Sequence, residues 1–361
     1  MPAHLFAPLQ LRSLALSNRI GISPMCQYSA EDGTASEWHA VHYGSRAVGG
    51  AALMIVEATG VVPEGRISPA DLGLWDDRHI EPLARIVRFA HAQGCAAAIQ
   101  LAHAGRKGSI GLGWQPQVSL DASAGGWPTV APSALSFGEG YATPQALDEA
   151  GIAEVIAAFA AAARRAHAAG FRAVEIHAAH GYLLHQFLSP LANRRTDGWG
   201  GSFANRTRLV REVVKAVRKE WPDDLPLLIR LSATDWVDGG WNADETVALC
   251  RDLGALGVDM VDVSSAGLTP DAAIAAGPGF QTPFAERIRR ETALPTAAVG
   301  FITAAAQADH IIRTGQADMV LLGRESLRDP HWPLHAAQAL GQTGRWPAQY
   351  LRAAPPEAQK R

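Results

Sequence analysis

Short apolar runs alternate with longer amphipathic stretches almost throughout this chain. The apolar runs 19–23, 52–57, 96–101, 172–177, 226–231, 258–263, 295–299 and 318–322 have the length and β-branched character of buried strands. Between and after them, 39–48, 80–93, 149–169, 205–220, 243–256, 283–291, 303–314 and 330–340 repeat apolar residues at helical spacing. Glycines stand where several of these helices should end, at Gly94, Gly170, Gly257 and Gly315. Strands that read as nearly continuous apolar runs imply a parallel sheet covered on its outer face. Eight strand–helix units close naturally into a (β/α)8 barrel.

A doubly wound open sheet is the competing α/β architecture. It predicts a G-x-G-x-x-G after the first strand and an acidic residue answering it, and the chain has neither. The expected organisation is one barrel domain over 1–361 with an N-terminal cap. Residues 105–143, rich in Gly, Pro and Trp and without a clear period, are too long for an ordinary connection and read as a lid inserted after strand three. The tail 346–361 contains Pro347, Pro355 and Pro356 and is expected to be extended.

Composition narrows the class. Of 361 residues, 48% are hydrophobic and 19% charged, which describes a globular protein with a large core. A net charge of −3 with scattered basic residues gives no case for nucleic acid. No apolar run approaches the ~20 residues of a membrane span. Cys26, Cys95 and Cys250 are too far apart for a disulfide framework or a cluster-binding run. With no signal-peptide pattern at the start, a reduced cytoplasm is expected.

In barrel enzymes the reactive groups stand at the carboxyl ends of strands. Strand one ends in Ser23-Pro24-Met25-Cys26-Gln27-Tyr28, strand two in Glu57-Ala58-Thr59, and strand three in Gln100-Leu101-Ala102-His103. Strand four ends in His177-Ala178-Ala179-His180-Gly181-Tyr182, and strand five in Arg230. His177 and His180 could not share a face if the strand continued, because alternate residues point to opposite sides. They converge only if the chain turns at Ala178 or Ala179, and Gly181 supports such a turn. The result would be two hydrogen-bond donors for one oxygen with a phenol beside them. Strands seven and eight end at Gly300 and at Gly323-Arg324. Backbone N–H groups there, with the Arg324 guanidinium, suit a phosphate.

Other readings stay open. The H-x-x-H pair could ligate zinc in a barrel hydrolase if a third ligand such as Asp235 or Asp262 reached it, although no metal signature joins them. A non-catalytic flavin- or phosphate-binding barrel is a further alternative. His39 and His42, on a helix near the amino end, read as structural.

The runs quoted above resemble the old yellow enzyme family of FMN-dependent ene-reductases, in its bacterial branch with a His-His pair. Further matching runs are Gln100-Leu101-Ala102-His103-Ala104-Gly105-Arg106-Lys107, Asn193-Arg194-Arg195-Thr196-Asp197, Gly200-Gly201-Ser202 and Asn205-Arg206. The resemblance covers nearly the whole chain. It implies FMN across the barrel mouth, held by the backbone around Ser23, Pro24 and Met25, by Ala58 and Gln100, by Arg230 at the N1/O2 edge, and by Gly300, Gly323 and Arg324 at the phosphate. Cys26 would tune the flavin without acting as a nucleophile. It implies NADPH or NADH as hydride donor and small-molecule enones or related activated alkenes as acceptors. His177 and His180 would hold the carbonyl oxygen, Tyr182 would give the proton, and Tyr28 would line the opposite wall. In that family an arginine near the end can enter a neighbouring subunit's pocket, so Arg352 implies a shared site in a homodimer or a dimer of dimers. The run Gln349-Tyr350-Leu351-Arg352-Ala353-Ala354 departs from the family pattern in lacking its Gly and aromatic residue.

Overall fold

A strand that is apolar on both faces needs a layer on each side, and a closed barrel supplies both. In the computed structural model, which describes residues 4–356, 358 and 359, eight parallel strands form that barrel. In chain order they are Ile20–Ile22, Leu53–Gly60, Ala96–Ala102, Ala173–Ala178, Leu227–Ser232, Met260–Ser264, Thr296–Val299 and Met319–Leu322. The eighth returns to the first, pairing Val320 with Ile20 and Leu322 with Ile22. Around it lie the helices Glu37–Val48, Ile80–Ala92, Glu149–Ala168, Arg208–Glu220, Ala243–Ala255, Thr282–Thr292, Ala305–Arg313 and Trp332–Ala339.

Period-two alternation sorts the strand residues. On the fourth strand Val174, Ile176 and Ala178 face outward into the layer that includes the helices, leaving Glu175 and His177 for the interior. Lower in the barrel the interior is apolar, with Leu53, Ile55, Ala98, Leu228, Met319 and Leu321 in one cluster. The hairpin Leu9–Leu11 with Leu14–Leu16 closes that end by adding Leu11, Leu14 and Leu16 to the same cluster. Burying each such leucine contributes about 1.5–3 kcal/mol. The hairpin is tied to loops that precede strands: Arg12 Nε lies 2.6 Å from Asp259 Oδ1, and the Ser13 N–H donates to Asp224 O at 3.0 Å.

The structure departs from the sequence-based expectations in four places. The first helix begins at Glu37, because Ser36 and His39 form a capping box. The stretch expected as one helix over 205–220 is Phe203–Arg206 followed by Arg208–Glu220, and Thr207 Oγ1 donates back to Phe203 O at the break. The stretch 330–340 is likewise shorter: Arg324–Arg328 precedes it and Trp332–Ala339 follows, with Pro330 between them. The tail is not simply extended. Pro347, held at φ −63°, accepts a hydrogen bond from the Tyr350 N–H and starts the helical turn Ala348–Ala353.

The inserted segment after strand three has little regular structure. Its short strand Val130–Ala131 pairs in parallel with Gln145–Ala146. Arg106 fastens it at the mouth, donating to Leu135 O, Ser136 O and Leu268 O at 3.2, 3.1 and 2.9 Å. Arg195, paired with Asp197 at 2.5 Å, donates to Pro132 O and Leu147 O on its other side.

Candidate active site

The turn after strand four is built as the sequence requires. The strand stops at Ala178, His180 takes φ +57° and Gly181 φ +73°. A Cβ on Gly181 would sit 2.1 Å from Gly267 O, so only glycine fits that close approach. This reversal brings the His177 and His180 rings to 5.2 Å between centroids and His177 to Tyr182 at 5.0 Å, both edge to face.

Burial, followed by the positive charge of Arg230, holds both imidazoles well below the usual histidine range, so both are neutral. The Ala179 N–H donates to His177 Nδ1 at 3.4 Å, which leaves Nε2–H as that ring's donor. His180 Nε2 lies 2.7 Å from Ser264 Oγ. Ser264 Oγ also lies 3.4 Å from Gln281 Oε1, which takes the shorter bond of 2.6 Å from Ser265; with the Ser264 proton turned to His180 Nε2, the ring carries its own proton on Nδ1. Burial raises the Tyr182 phenol well above its ordinary pKa, with Cys26, then Tyr28 and Asp71, adding to the effect, and keeps its proton on.

Below these rings is a buried ionic layer. Register pairs His177 with Arg230 and Arg230 with Asp262 on neighbouring strands. Arg230 Nε lies 3.0 Å from Asp262 Oδ2, but the approach is not that of a hydrogen bond. Gln100 Nε2 donates to Glu175 Oε1 at 2.8 Å. Desolvation raises both Glu175 and Asp262; the Asp262 carboxylate raises Glu175 further, and Arg230 opposes the rise in both. Arg230 Nε, Glu175 Oε2 and both Asp262 oxygens have no hydrogen-bond partner among the described residues.

The remaining expected residues surround this centre. Ala58 lies within a bulge of strand two, which shifts register between Val56 and Thr59. Cys26, Tyr182 and Tyr141 pack against a small apolar cluster of Ala58, Ile67, Ala102, Ala104 and Ile110. Desolvation, then Asp71 and Glu57, pushes the Cys26 thiol up, so it is not a thiolate. Ser23 donates its N–H to Leu322 O at 3.0 Å, which brings Ser23, Pro24 and Met25 beside strand eight. Tyr28, at φ +50°, stacks edge-on to Trp114 of the inserted segment. Gly300, Phe301, Gly323 and Arg324 line one cleft of about 170 Å³, with the guanidinium 4.5 Å from the Phe301 ring centroid. Arg352 is not joined to this group. It stands exposed in the turn Ala348–Ala353, beside Tyr350, whose ring packs on His331.

The two carboxylates considered as zinc partners are engaged elsewhere. Asp235 pairs with His185 at 2.9 Å and accepts from Ser189 Oγ, and Asp262 faces Arg230. Among the described residues no group of three His, Cys, Asp or Glu side chains is placed to hold a metal. His39 lies 3.6 Å from Glu57 in a fully buried pair, joined by Tyr43 OH at 2.7 Å, which is structural wiring behind strand two.

Sequence reasoning did not assign three residues here. Glu175 carried a signal, a carboxylate at an inward strand position two before His177. Gln186 joins Gly181 O to Ala104 O through Nε2, and Lys107 reaches the His180 carbonyl; nothing local to either marks that contact.

An eight-stranded barrel with imidazoles, a phenol and a buried guanidinium at its mouth is built as barrel enzymes are, and comparison with known proteins supplies the class. Residues 4–342 match the profile described as the NADH:flavin oxidoreductase / NADH oxidase family, to which this chain belongs. It is 48% identical to an NADPH dehydrogenase of Geobacillus thermodenitrificans over 350 residues, 96% of this chain and 98% of that one. Morphinone reductase superposes with a TM-score of 0.78 at 30% identity, covering 95% and 91% of the two chains. An old yellow enzyme homologue from Zymomonas mobilis gives 0.78 at 25% identity, covering 99% and 98%. The protein is thus an oxidoreductase using FMN with a nicotinamide donor. Its residues suit that cofactor: the mouth holds buried polar atoms without protein partners, and beyond Gly323 the nearest atom to an added Cβ is Met25 Sδ at 3.9 Å. No helix among the described residues is long and apolar enough to cross a membrane.

Proposed function

We propose that the protein is an ene-reductase, reducing the activated C=C bond of α,β-unsaturated carbonyl compounds with NADPH or NADH. The relatives named NADPH dehydrogenase favour the phosphorylated donor. The observation that carries the reading is the convergence at the mouth of two neutral imidazoles and a protonated phenol, with the His180 ring 5.2 Å and the Tyr182 ring 5.0 Å from that of His177. FMN, when bound, supplies the hydride chemistry, taking a hydride from the nicotinamide and passing it to the substrate's β-carbon.

His177 Nε2–H and His180 Nδ1–H then donate to the carbonyl oxygen, where negative charge grows. One well-aimed donor of this kind is worth about 3 kcal/mol of transition-state stabilisation. Tyr182 gives its proton to the α-carbon and recovers one from water. The residues that would hold the cofactor are the backbone at Ser23, Pro24 and Met25, with Ala58, Gln100 and Arg230 along the ring. Gly300, Gly323 and Arg324 would hold the phosphate. The protonated Cys26 thiol supports a role in tuning and argues against attack on substrate. Tyr28, with Trp114 beside it, would form the opposite wall, and the segment 105–143 would act as a lid limiting substrate size.

The reading extends to assembly and place. The chain is one domain working in the cytoplasm, where three unpaired cysteines persist. A homodimer, or a dimer of dimers, would carry Arg352 into a neighbouring mouth. An apolar outer groove of about 850 Å³, lined by Val41, Phe89 and Tyr350, adjoins the turn that holds Arg352 and supports this.

The test is spectroscopic. Purified protein should be yellow, bleach anaerobically with NADPH and regain colour with 2-cyclohexenone. Tyr182→Phe should slow recolouring by about 10²–10⁴-fold and leave bleaching unchanged within about twofold. Recolouring at the parent rate in Tyr182→Phe would remove the phenol from the mechanism.

A further inference from the structure

Lys107 is a half-buried cation that the reading above leaves without a task, and its contacts are specific. Its Nζ donates to His180 O and to Gly267 O, each at 2.8 Å, across 73 and 160 positions of sequence. It also lies 4.5 Å from the Phe137 ring centroid and 5.2 Å from that of Tyr182.

The backbone around it explains why a donor is needed. Two turns meet back to back here: His180 and Gly181 at φ +57° and +73°, against Ala266 and Gly267 at +65° and +92°. A Cβ on Gly267 would lie 2.6 Å from His180 C, so the two chains are in direct contact. On one side the turns are joined by a relay, His180 N–H to Ser232 Oγ at 2.9 Å and Ser232 to Ala266 O at 2.8 Å. On the other side two carbonyl oxygens converge on the same point. Without a cation between them their partial negative charges repel, and neither would have its hydrogen bond in a partly desolvated site. Each non-glycine residue in the left-handed region costs about 1–3 kcal/mol and persists only where its surroundings over-determine it. Lys107 is one of those surroundings.

We propose that Lys107 is a positioning residue for the substrate-facing wall: its Nζ clamps the His180 and Gly267 carbonyls together and so sets where the His180 imidazole and the Tyr182 phenol stand. The charge also matters to the proton donor. When Tyr182 gives its proton to the α-carbon, the electron pair stays on the phenolate oxygen, and the Lys107 ammonium beside that ring stabilises the anion until water reprotonates it. Desolvation, then Arg106, pulls the Lys107 pKa down to about 7, so the charge is complete only below that pH, while the N–H donors to the two carbonyls remain on either side of it.

This inference rests on the ene-reductase reading for its rates but not for its binding test. Lys107→Met keeps the length of the side chain and removes both donors and the charge; Lys107→Arg restores a fork able to meet two carbonyls. In the FMN-loaded enzyme, Lys107→Met should bleach with NADPH within about twofold of the parent rate, while recolouring by 2-cyclohexenone slows about 10- to 100-fold. Its affinity for p-hydroxybenzaldehyde, read from the long-wavelength band that a phenolate forms over the cofactor, should fall about tenfold, and Lys107→Arg should recover most of it. Unchanged ligand affinity and recolouring in Lys107→Met would overturn the proposal. Equal loss of both half-reactions together with a lowered melting temperature would overturn it too, since that marks a merely structural lysine. If the parent enzyme bleached but never recoloured with enone, the ene-reductase reading would fail, and the p-hydroxybenzaldehyde titration would still decide for or against the clamp.

Discussion

The two ends of this barrel are built on opposite rules. At the amino end of the strands the interior is a dry plug, Leu11, Leu14 and Leu16 of the hairpin pressed against Leu53, Leu228 and Leu321. At the carboxyl end the same strands carry Gln100, Glu175, His177, Arg230 and Asp262, all buried and several with polar atoms unpaired among the described residues. Backbone strain divides the same way. Of the nine described non-glycine residues with positive φ, seven (Tyr28, Asp32, Ser109, His180, Trp236, Ala266 and Phe301) lie in loops that follow strands, while Arg12 and Ala293 lie at the other end. The plug is optimised for stability. The mouth gives up stability to hold groups in positions that only a bound ligand would complete.

The sharpest way to break that contrast is Arg230→Met. It leaves Asp262 buried with no opposing charge, so the protein should lose about 3–5 kcal/mol in urea unfolding. It should also be purified nearly colourless. Unchanged stability and full colour would mean that the ionic layer is not the costly element the contrast requires.

Leu321→Ala tests the other end. Its side chain fills the space over Gly21, where an added Cβ would lie 2.5 Å from Leu321 Cδ2. The expected cost is about 2–5 kcal/mol of stability with the flavin spectrum and turnover per folded molecule preserved. A specific loss of turnover without loss of stability would show that the plug and the mouth are coupled.

The last effect is acid sensitivity, to which the mouth contributes through its buried histidines, whereas the apolar cluster of the plug contains none. His103 is buried after strand three, and desolvation lowers its pKa to about 4. The folded value therefore lies below the unfolded one of about 6.5. Between the two, the unfolded chain binds more protons, so stability is full above pH 6.5 and falls as pH drops towards 4. His177 and His180 act in the same direction. In unfolding measured from pH 7 to 4, His103→Gln should lower the slope by about 1.4 kcal/mol per pH unit. An unaltered slope would assign the acid sensitivity to other groups.

Much of this was legible in the chain. All eight strands fall where the apolar runs place them, because most residues buried on either face are apolar, and the interruptions Gln100, Glu175, His177, Arg230 and Asp262 belong to the mouth. The turn at Ala178 was legible as well, since His177 and His180 could meet in no other way and Gly181 allows the reversal. The tail was misread because three prolines suggested extension, whereas Pro347 is the extended residue that caps a helical turn beginning at Ala348. The partner of Asp235 was not legible. That carboxylate stands near strand five's end with ligand chemistry, but His185 takes it, and His185 in turn accepts the Gly181 N–H at 2.9 Å.

The sequence by itself determined the barrel, the end of it that carries chemistry and the residue types available there, because apolar periodicity and chain reversal are local properties. Only the tertiary structure decided which of those groups meet: Arg230 with Asp262, Asp235 with His185, and Lys107 with the carbonyls of His180 and Gly267. Those partners lie far apart in the chain, and strand register and the contact of two loops select them. No pattern within a few residues of either partner encodes that choice.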